Sequence, residues 1–353
     1  CCKKTFKEYF IMKFNRPWFI AEISANHCGS VKIAKQLIKC AKKNGADAVK
    51  LQTYSPNTMT LNSKKKYFKI KSGLWKNYTL WDLYNKAQTP LHWHKELFDY
   101  AKKIGITIFS TPFDETAVEF LEKLNCPIYK VASFEMTDIP LIKKIASTKK
   151  PMIISTGLAS MEEIESTFKT AKKNGCKDIM LLYCVSNYPS RISDFNLNNI
   201  QILKKKFNCV VGFSDHSTDN RVSFGAITAG AEIVEKHIAL EGQKKGFDIK
   251  FSLKGKQIRK FRENIDLAYS LCGKNFFFRN KSENKSKVFR RSIFSTKNIK
   301  KGEKFTLNNI KRIRPGIGLP SSFYENILGK KSPYNINKEE PLKKNLIKLL
   351  KIK

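Results

Sequence analysis

Polar side chains that could do chemistry recur at eight places in the sequence, each at the end of a short apolar run. Charged groups at the ends of buried strands are costly unless they are paired or used. Any one of these residues could make an ordinary structural hydrogen bond, but eight such endings favour a common site. In chain order they are Glu22, Ser24, Lys50, Gln52, Ser110, Thr111, Lys130, Ser133, Ser155, Thr156, Ser186, Tyr188, Ser214, Asp215, His216, Glu235, Lys236 and His237.

Two lysines in this set, Lys50 and Lys130, end apolar runs that also bring the hydroxyl groups of Thr111, Ser133 and Ser155 to the same edge. Ammonium and hydroxyl groups together favour binding of a phosphate or carboxylate. The sequence has no GxxxxGK[ST] motif and no GxGxxG between a strand and a helix, so it does not indicate a nucleotide.

Five histidines are present, and two of them, His216 and His237, end consecutive apolar runs. Two neutral imidazoles with a carboxylate and waters suit a divalent ion such as Mn²⁺. The alternative is that both support the site or the core without touching a metal. His92 and His94 lie two apart in a predicted helix and so point in different directions. His27 is predicted to be a loop or capping residue.

The elements that position these residues alternate between helices and strands. The phrase Ala-Lys-Lys-X-Gly occurs at 41–45, 101–105 and 171–175. Lysines suit the negative end of a helix dipole, and glycine suits a left-handed C-cap before a strand. Eight near-continuous apolar runs are typical of parallel strands buried on both faces. They predict a TIM (β/α)8 barrel with its active site at the carboxyl ends of the strands. The predicted strands are 18–24, 48–52, 107–110, 128–130, 152–156, 179–184, 210–213 and 233–236.

Segments outside the eight units divide the chain further. The connection 53–94 is too long for a plain loop and is rich in aromatic residues, so it is predicted to pack over the barrel mouth and shape a pocket. The alternative is a satellite cluster that covers the barrel edge. We expect an N-terminal extension, a barrel domain, a linker and a small second domain with short strands and turns at 291–295, 302–305 and 307–310. Their bounds are 1–17, 18–272, 273–288 and 289–353.

The formal charge of +37 first suggests a nucleic-acid-binding protein. The excess is nearly all lysine, spread in short runs, which is typical of a solvated surface, and no motif for contacting DNA or RNA is present. We therefore expect no nucleic-acid partner. Nine cysteines without a paired spacing suit a reducing compartment, and no apolar run has the length of a membrane span. The sequence thus predicts a cytoplasmic protein with no membrane partner.

Several segments, taken in order, resemble the motifs of sialic acid synthases. The resemblance runs from Trp18 to the end, where the small domain is similar to the antifreeze-like (SAF) domain of that family. It implies a TIM barrel and condensation of phosphoenolpyruvate with an amino sugar. The segments are Ala21-Glu22-Ile23-Ser24-Ala25-Asn26-His27, Gly45-Ala46-Asp47-Ala48-Val49-Lys50-Leu51-Gln52-Thr53-Tyr54, Ser110-Thr111-Pro112-Phe113-Asp114, Ser214-Asp215-His216 and Glu235-Lys236-His237.

Other segments resemble the branch of this family that makes pseudaminic acid, rather than the N-acetylneuraminic and legionaminic branches. Asp248 and the pair Phe251-Ser252 match that branch, whereas Phe247 stands where the other branches carry proline. The remaining segments are Leu74-Trp75, Ala87-Gln88-Thr89-Pro90-Leu91-His92-Trp93-His94 and Cys184-Val185-Ser186-Asn187-Tyr188-Pro189-Ser190.

The resemblance also implies roles for individual residues. A divalent metal, Mn²⁺ or Mg²⁺, would be held by His216 and His237, with Asp248 nearby through water. Arg314 of the small domain would reach the sugar in the partner subunit's barrel, which makes a swapped homodimer. We expect Glu22 to move the proton, with Glu235 second; the alternative for Glu22 is a partner that only neutralises Lys50. The expected catalytic set is Glu22, Lys50, Gln52, Lys130 and Glu235, and the expected phosphoenolpyruvate ligands are Lys50, Thr111, Lys130, Ser133, Ser155, Ser186, Tyr188 and Ser214.

Overall fold

A computed structural model of the chain describes residues 16–273, 276–277 and 279–352. Two units make up the chain, and the division falls after Gly273. The predicted N-terminal extension lies outside the described residues except for Arg16 and Pro17, as do positions 274, 275 and 278 of the predicted linker.

Eight parallel strands form a closed barrel in the first unit, which confirms the predicted fold. Strand β1 pairs with β2 on one side and with β8 on the other, where Trp18 lies opposite Ile233. Nearly every strand residue is buried, as the continuous apolar runs require. The strands are Trp18–Glu22 (β1), Ala48–Thr53 (β2), Thr107–Pro112 (β3), Tyr129–Val131 (β4), Met152–Ser155 (β5), Ile179–Cys184 (β6), Val210–Asp215 (β7) and Ile233–Ala239 (β8).

Helices cover the outside of the barrel, and each Ala-Lys-Lys-X-Gly phrase lies at the end of one of them. Gly45, Gly105 and Gly175 all have positive φ, so the chain turns at the predicted glycines before re-entering the sheet. The helices of this unit are Val31–Lys43 (α1), Pro56–Met59 (α2), Leu80–Ala87 (α3), Leu91–Ile104 (α4), Glu115–Lys123 (α5), Ile139–Ser147 (α6), Met161–Lys173 (α7), Asn198–Phe207 (α8), Arg221–Thr228 (α9) and Lys256–Cys272 (α10).

The predicted strand ends differ from the observed ones at the barrel mouth. Strand β1 stops at Glu22, because Ser24 already belongs to the 3₁₀ turn Ser24–His27. Strands β3, β7 and β8 run two or three residues further than predicted, because the backbone keeps pairing with the neighbouring strands past the predicted ends. A short strand Leu253–Lys254 (β9) continues the sheet beside β8 and was not predicted.

The connection from residue 53 to 94 contains α2, a 3₁₀ turn at Lys66–Phe68, and α3. Its side chains Tyr54, Trp75 and Tyr84 line the cavity at the barrel mouth, which confirms that it shapes a pocket. Tyr67 is exposed and Trp93 packs against the barrel core, so not all of its aromatic residues take part.

The small unit has its own hydrophobic core, with Ile293, Phe305 and Leu319 fully buried. Strands Ser292–Ser295 (β10) and Ile310–Ile313 (β11) pair antiparallel. Of the segments predicted as short strands and turns, 291–295 is a strand, 302–305 is a turn followed by an isolated bridge at Lys304, and 307–310 is a turn that leads into β11. Phe305 makes only isolated backbone bonds, including one to the Lys330 carbonyl, and a turn leads into β11. Short helices, Tyr324–Ile327 (α11) and Leu346–Leu349 (α12), complete this unit, and an exposed 3₁₀ segment at Lys281–Phe289 precedes it.

No helix in the described part of the chain combines the length and the apolar character that crossing a membrane requires.

Candidate active site

A cavity of about 420 Å³ opens at the carboxyl ends of the barrel strands. This volume is in the range of small-molecule sites. Glu22, Thr111 and Ser186 lie behind its wall, each in contact with a residue that lines it. The predicted site residues that line the cavity directly are Lys50, Gln52, Lys130, Ser133, Ser155, Tyr188, Ser214, His216, Glu235, His237 and Asp248.

Alternation along the strands decides which polar residues reach the cavity. Successive side chains of a strand point to opposite faces, so Glu235 and His237 point inward while Lys236 points outward. Asp215 also lies outside the cavity lining, where it forms a buried ion pair with Lys236 at 3.1 Å. The polar ending of each strand thus divides into an inward group that can meet a ligand and an outward group that holds the strands together.

Lys50 is the centre of a buried ionic cluster at the inner end of the cavity. Its ammonium is paired with the carboxylate of Glu22, donates to the Thr111 hydroxyl at 3.1 Å and lies 3.8 Å from a Glu235 oxygen. Ser214 donates to the other Glu235 oxygen at 2.9 Å. One lysine therefore has two carboxylates around it.

The two carboxylates of this cluster have pKa values that are shifted in opposite directions. Burial raises the pKa of Glu22 to about 7, against the opposing pull of Lys50. Burial acts on Glu235 in the same sense, but Lys50 and Lys130 outweigh it and lower its pKa. Although burial opposes a charge on Lys50, Glu22 and Glu235 raise the pKa of its ammonium. Paired carboxylates whose pKa values are pushed apart are typical of acid–base sites.

Lys130 is the second buried cation of the cavity. Its ammonium donates to the Ser155 hydroxyl at 2.7 Å and to the Val131 carbonyl at 2.8 Å. Burial lowers its pKa, because among the described residues it has no carboxylate in salt-bridge contact to compensate for lost hydration. An anionic ligand would supply that missing compensation.

Two further predicted hydroxyl groups lie beside Gly157 near the cavity. Ser133 and Ser186 are joined by a hydrogen bond of 2.8 Å. They lie directly against Gly157, where an added Cβ would come within 2.3 Å of Ser133 and 2.6 Å of Ser186. The glycine thus leaves room for these two hydroxyls at the edge of the anion pocket.

The two predicted metal-binding histidines meet above the mouth, with ring centroids 5.6 Å apart. Burial lowers the pKa of His216 to about 4 and that of His237 well below its usual value, so both rings are neutral, as metal ligation requires. The Nδ1 of His216 lies 3.2 Å from the Val185 carbonyl, which assigns its proton to Nδ1 and leaves Nε2 free to accept a metal.

A complete protein-only metal cage is not formed by the part of the chain that the structure describes, because no group of three or more His, Cys, Asp or Glu side chains converges. The nearest carboxylate is Asp248, whose oxygen lies 3.7 Å from His237 Nδ1 and accepts from Ser24 Oγ at 2.5 Å. Two neutral imidazoles with a carboxylate at that distance fit a divalent ion whose other ligands are substrate and water.

Aromatic rings pack around the histidine pair. Tyr188 lies 4.4 Å from His216 between ring centroids, and Phe251 lies 4.9 Å from His237. Trp75 contacts Tyr188 at 5.9 Å and donates from Nε1 to the Phe247 carbonyl at 3.2 Å. These contacts connect the long connection to the loop that carries Asp248.

The sequence analysis missed Glu135, which also lines the cavity. Its Oε2 is buried and has no hydrogen-bond partner among the residues described, and burial raises its pKa to about 7. It follows β4 in an irregular turn, so strand periodicity gave no signal for it. A buried carboxylate oxygen at a cavity, with no hydrogen-bond partner among the described residues, is suited to a ligand hydroxyl or amide.

The other three histidines stay away from the cavity lining, as predicted. His94 is buried and its Nε2 lies 2.8 Å from the Thr53 hydroxyl, whereas His92 on the same helix is exposed. His27 belongs to the 3₁₀ turn after β1, and its Nδ1 accepts from the Gly29 amide at 3.1 Å.

Fold and site together define a TIM-barrel enzyme whose cavity places two buried ammonium groups beside a pair of neutral imidazoles. Comparison of the sequence with known protein families agrees with this class. The NeuB family matches residues 37–276, and the SAF domain matches residues 290–348. The chain belongs to the NeuB family and carries the predicted SAF domain at its C-terminal side.

Curated relatives match over nearly the full chain. The pseudaminic acid synthase of Campylobacter jejuni serotype O:2 is 43% identical over 92% of this chain and 95% of its own. That of Helicobacter pylori is 43% identical over 92% of this chain and 96% of its own. Among solved structures, the N-acetylneuraminic acid synthetase from Leptospira borgpetersenii superposes with a TM-score of 0.70 at 29% identity, covering 77% of this chain and 90% of that one.

Arg314 lies in the small unit and its side chain is exposed. Its predicted contact with the sugar in a partner subunit's barrel stays a prediction.

Proposed function

We propose that this protein condenses phosphoenolpyruvate with 2,4-diacetamido-2,4,6-trideoxy-L-altrose to give pseudaminic acid and phosphate. The observation that carries the proposal is the convergence of Lys50, Lys130, His216 and His237 on one cavity. The similarity to the pseudaminic acid synthases of Campylobacter jejuni and Helicobacter pylori supports the choice of sugar.

Phosphoenolpyruvate carries a phosphate and a carboxylate, and the inner end of the cavity offers two buried ammonium groups for them. We propose that Lys130, rather than Lys50, binds the phosphate. Lys50 already contacts two carboxylates, whereas the Lys130 ammonium has no carboxylate contact among the described residues. Fixed, desolvated cations of this kind hold a substrate in place and stabilise charge as it develops. The proposed phosphoenolpyruvate ligands on the cavity surface are Lys50, Lys130, Ser133, Ser155, Tyr188 and Ser214. Of the other two predicted ligands, Thr111 contacts Lys50 and Ser186 contacts Ser133 from behind the wall, so we propose that they position those two groups.

The reaction forms one carbon–carbon bond and breaks one carbon–oxygen bond. The methylene carbon of phosphoenolpyruvate adds to the sugar's aldehyde carbon, whose oxygen takes up a proton and becomes a hydroxyl. Water then adds to the former enol carbon and releases a proton, which balances the one taken up. Loss of phosphate from that carbon leaves the keto acid. Glu22, with a pKa of about 7, accepts the proton of the water through Lys50, whose ammonium lines the cavity and contacts Glu22. Glu235 stays ionised and keeps Lys50 charged, and Gln52 orients a sugar hydroxyl from the cavity wall.

A divalent metal, Mn²⁺ or Mg²⁺, would be held by His216 and His237, with Asp248 one water away. When bound, such an ion acts as a Lewis acid on the aldehyde oxygen. The protein's own part is to keep both imidazoles neutral and oriented. Removal of metal with a chelator should abolish phosphate release, and readdition of Mn²⁺ or Mg²⁺ should restore it. Full activity after exhaustive chelation would contradict a metal role.

We further propose a homodimer in which Arg314 of one protomer reaches the sugar bound in its partner. Exposed apolar side chains on loops after three strands, Phe134, Leu158 and Ile192, give the barrel a surface that a second chain could cover. We place the enzyme in the cytoplasm, because the seven described cysteines are free thiols, which suits a reducing compartment.

The decisive experiment incubates the protein with Mn²⁺, phosphoenolpyruvate and one of two sugars, and follows phosphate release. We expect release with 2,4-diacetamido-2,4,6-trideoxy-L-altrose and little with N-acetylmannosamine. Preference for N-acetylmannosamine would instead indicate N-acetylneuraminic acid synthesis, and preference for the legionaminic precursor sugar would indicate that branch. No release with any of these sugars would overturn the proposal.

A further inference from the structure

The cavity has an apolar wall that the proposed chemistry does not use. Helix α3 presents Leu80, Leu83, Tyr84 and Ala87 to it, and these positions lie on one face at the spacing i, i+3, i+4, i+7. Residues on the opposite face, such as Asp82 and Lys86, are exposed. The helix is therefore amphipathic, but its apolar face borders a cavity.

These side chains do not serve the barrel core. Leu83 is only 8% exposed, yet neither it nor Tyr54 belongs to the hydrophobic core clusters of the described chain. A half-buried apolar face that borders a cavity and packs into neither core is suited to an apolar part of a ligand.

Contacts among its own side chains and one hydrogen bond from α3 hold the wall in place. Tyr54 packs edge-on against Tyr84 at 5.8 Å and against Phe113 at 5.2 Å. Trp81 donates to Asn57 at 2.9 Å, which ties α3 to the end of the connection nearest β2. The wall is thus a preorganised surface.

The orientation of the sugar follows from the two ends of the cavity. Its aldehyde carbon must meet the phosphoenolpyruvate held at the lysine end, so the far end of the open chain extends away from Lys50 and Lys130. In the proposed substrate that far end carries the C6 methyl group and the C4 acetamido methyl. We infer that the wall formed by Tyr54, Ile70, Leu80, Leu83, Tyr84 and Ala87 binds these methyl groups and makes the enzyme select a 6-deoxy sugar over its 6-hydroxy counterpart.

This inference rests on the proposed function. A comparison of two sugars shows whether the inference alone is wrong or the proposed function is wrong as well. The wild-type enzyme is assayed with 2,4-diacetamido-2,4,6-trideoxy-L-altrose and with the same sugar carrying a C6 hydroxyl. We expect kcat/KM to favour the 6-deoxy sugar at least about tenfold, the usual discrimination for such a group in an apolar pocket. Equal use of both sugars overturns the inference alone, whereas use of neither overturns the proposed function and this inference with it.

Variants of the wall sharpen the test. Leu83→Asn should lower the preference for the 6-deoxy sugar at least about tenfold by giving the C6 hydroxyl a partner. Leu80→Asn, at a more exposed position, should act in the same direction and serves if Leu83→Asn fails to fold. Leu61→Asn is the control, because Leu61 lies in the same connection but is 68% exposed and outside the cavity lining. A folded, active Leu83 or Leu80 variant that keeps the wild-type ratio overturns the inference.

Discussion

The two ends of the cavity are built in different ways. The lysine end is carried by the barrel strands, so the register between β1, β2, β4 and β8 sets the positions of its charged groups. The apolar end is carried by the connection 53–94, which is anchored at its ends and lies outside the two hydrophobic cores along α3. In the proposed reaction, residues of the barrel strands therefore carry out the chemistry, and the connection 53–94 selects the sugar.

The largest effect should come from the strand-borne end. Lys130→Met removes the buried cation proposed to hold the phosphate, so kcat/KM for phosphoenolpyruvate should fall about 10³-fold. The control is Lys250→Met, which changes the net charge of +37 by the same amount at an exposed residue outside the cavity lining. Steady-state kinetics of both variants measure the contrast. Equal losses would mean that the lysines act only through long-range attraction.

Glu22→Gln should lower kcat by roughly 10²- to 10⁴-fold with little change in the KM for phosphoenolpyruvate. Glu22 must be unprotonated to accept a proton and its pKa is about 7, so the wild-type rate should fall as the pH drops below about 7. This acidic limb should be absent in the variant's residual activity. Glu235→Gln should instead weaken phosphoenolpyruvate binding. A Glu22→Gln enzyme that turns over at the wild-type rate would reduce Glu22 to a partner for Lys50.

Glu135 lies where the two ends of the cavity meet, and its role separates them. Glu135→Gln should raise the KM for the sugar roughly tenfold, the usual cost of losing a hydrogen bond to a charged group, and leave the KM for phosphoenolpyruvate unchanged. Separate titrations of the two substrates measure this. If only the phosphoenolpyruvate KM moves, Glu135 belongs to the anion pocket through its neighbour Lys130.

The smallest effect on activity should come from the hydrogen bond between Thr53 and His94, which joins the two ends of the connection 53–94. His94→Phe removes the hydrogen bond to Thr53, so the free energy of unfolding in urea should fall by about 1–3 kcal/mol at neutral pH. His92→Phe, on the exposed side of the same helix, should change it little.

The pH dependence of stability tests the same hydrogen bond. Burial lowers the pKa of His94 from 6.5 to about 4, so the unfolded chain binds the proton first as the pH falls. The stability that neutral His94 contributes is complete above about pH 6.5 and is lost progressively towards pH 4. Urea unfolding at several pH values in this window should show a shallower loss for His94→Phe than for the wild type. If the free energy of unfolding falls equally steeply with pH in the wild type and in His94→Phe, His94 is not the titrating group.

The sequence predicted the strand-borne end better than the apolar end. All eight strands and the meeting of His216 with His237 followed from apolar runs and their endings, because the barrel brings the carboxyl ends of its strands together. The partners of Lys50 could be named only in part, since the Glu235 contact depends on which side chains point inward. Glu135 was missed because it lies in an irregular turn with no period to signal it.

Local patterns also failed where distant contacts decide the structure. The connection 53–94 was recognised as a pocket-forming segment from its aromatic residues, yet the helical stripe of α3 faces a cavity, which its period alone cannot tell from a core-facing stripe. In the small unit, the sequence predicted short strands and turns at 302–305 and 307–310 but not which of the two each segment forms, because that depends on distant contacts such as the bond from the Phe305 amide to the Lys330 carbonyl.

The most direct test of the account is a crystal structure of the protein with phosphoenolpyruvate bound. We predict that phosphate and carboxylate oxygens of the ligand lie within hydrogen-bond distance of the Nζ atoms of Lys130 and Lys50, with the methylene carbon facing the side of the cavity formed by α3. Phosphoenolpyruvate bound against α3, or outside this cavity, would contradict the division between a catalytic end and a selective end.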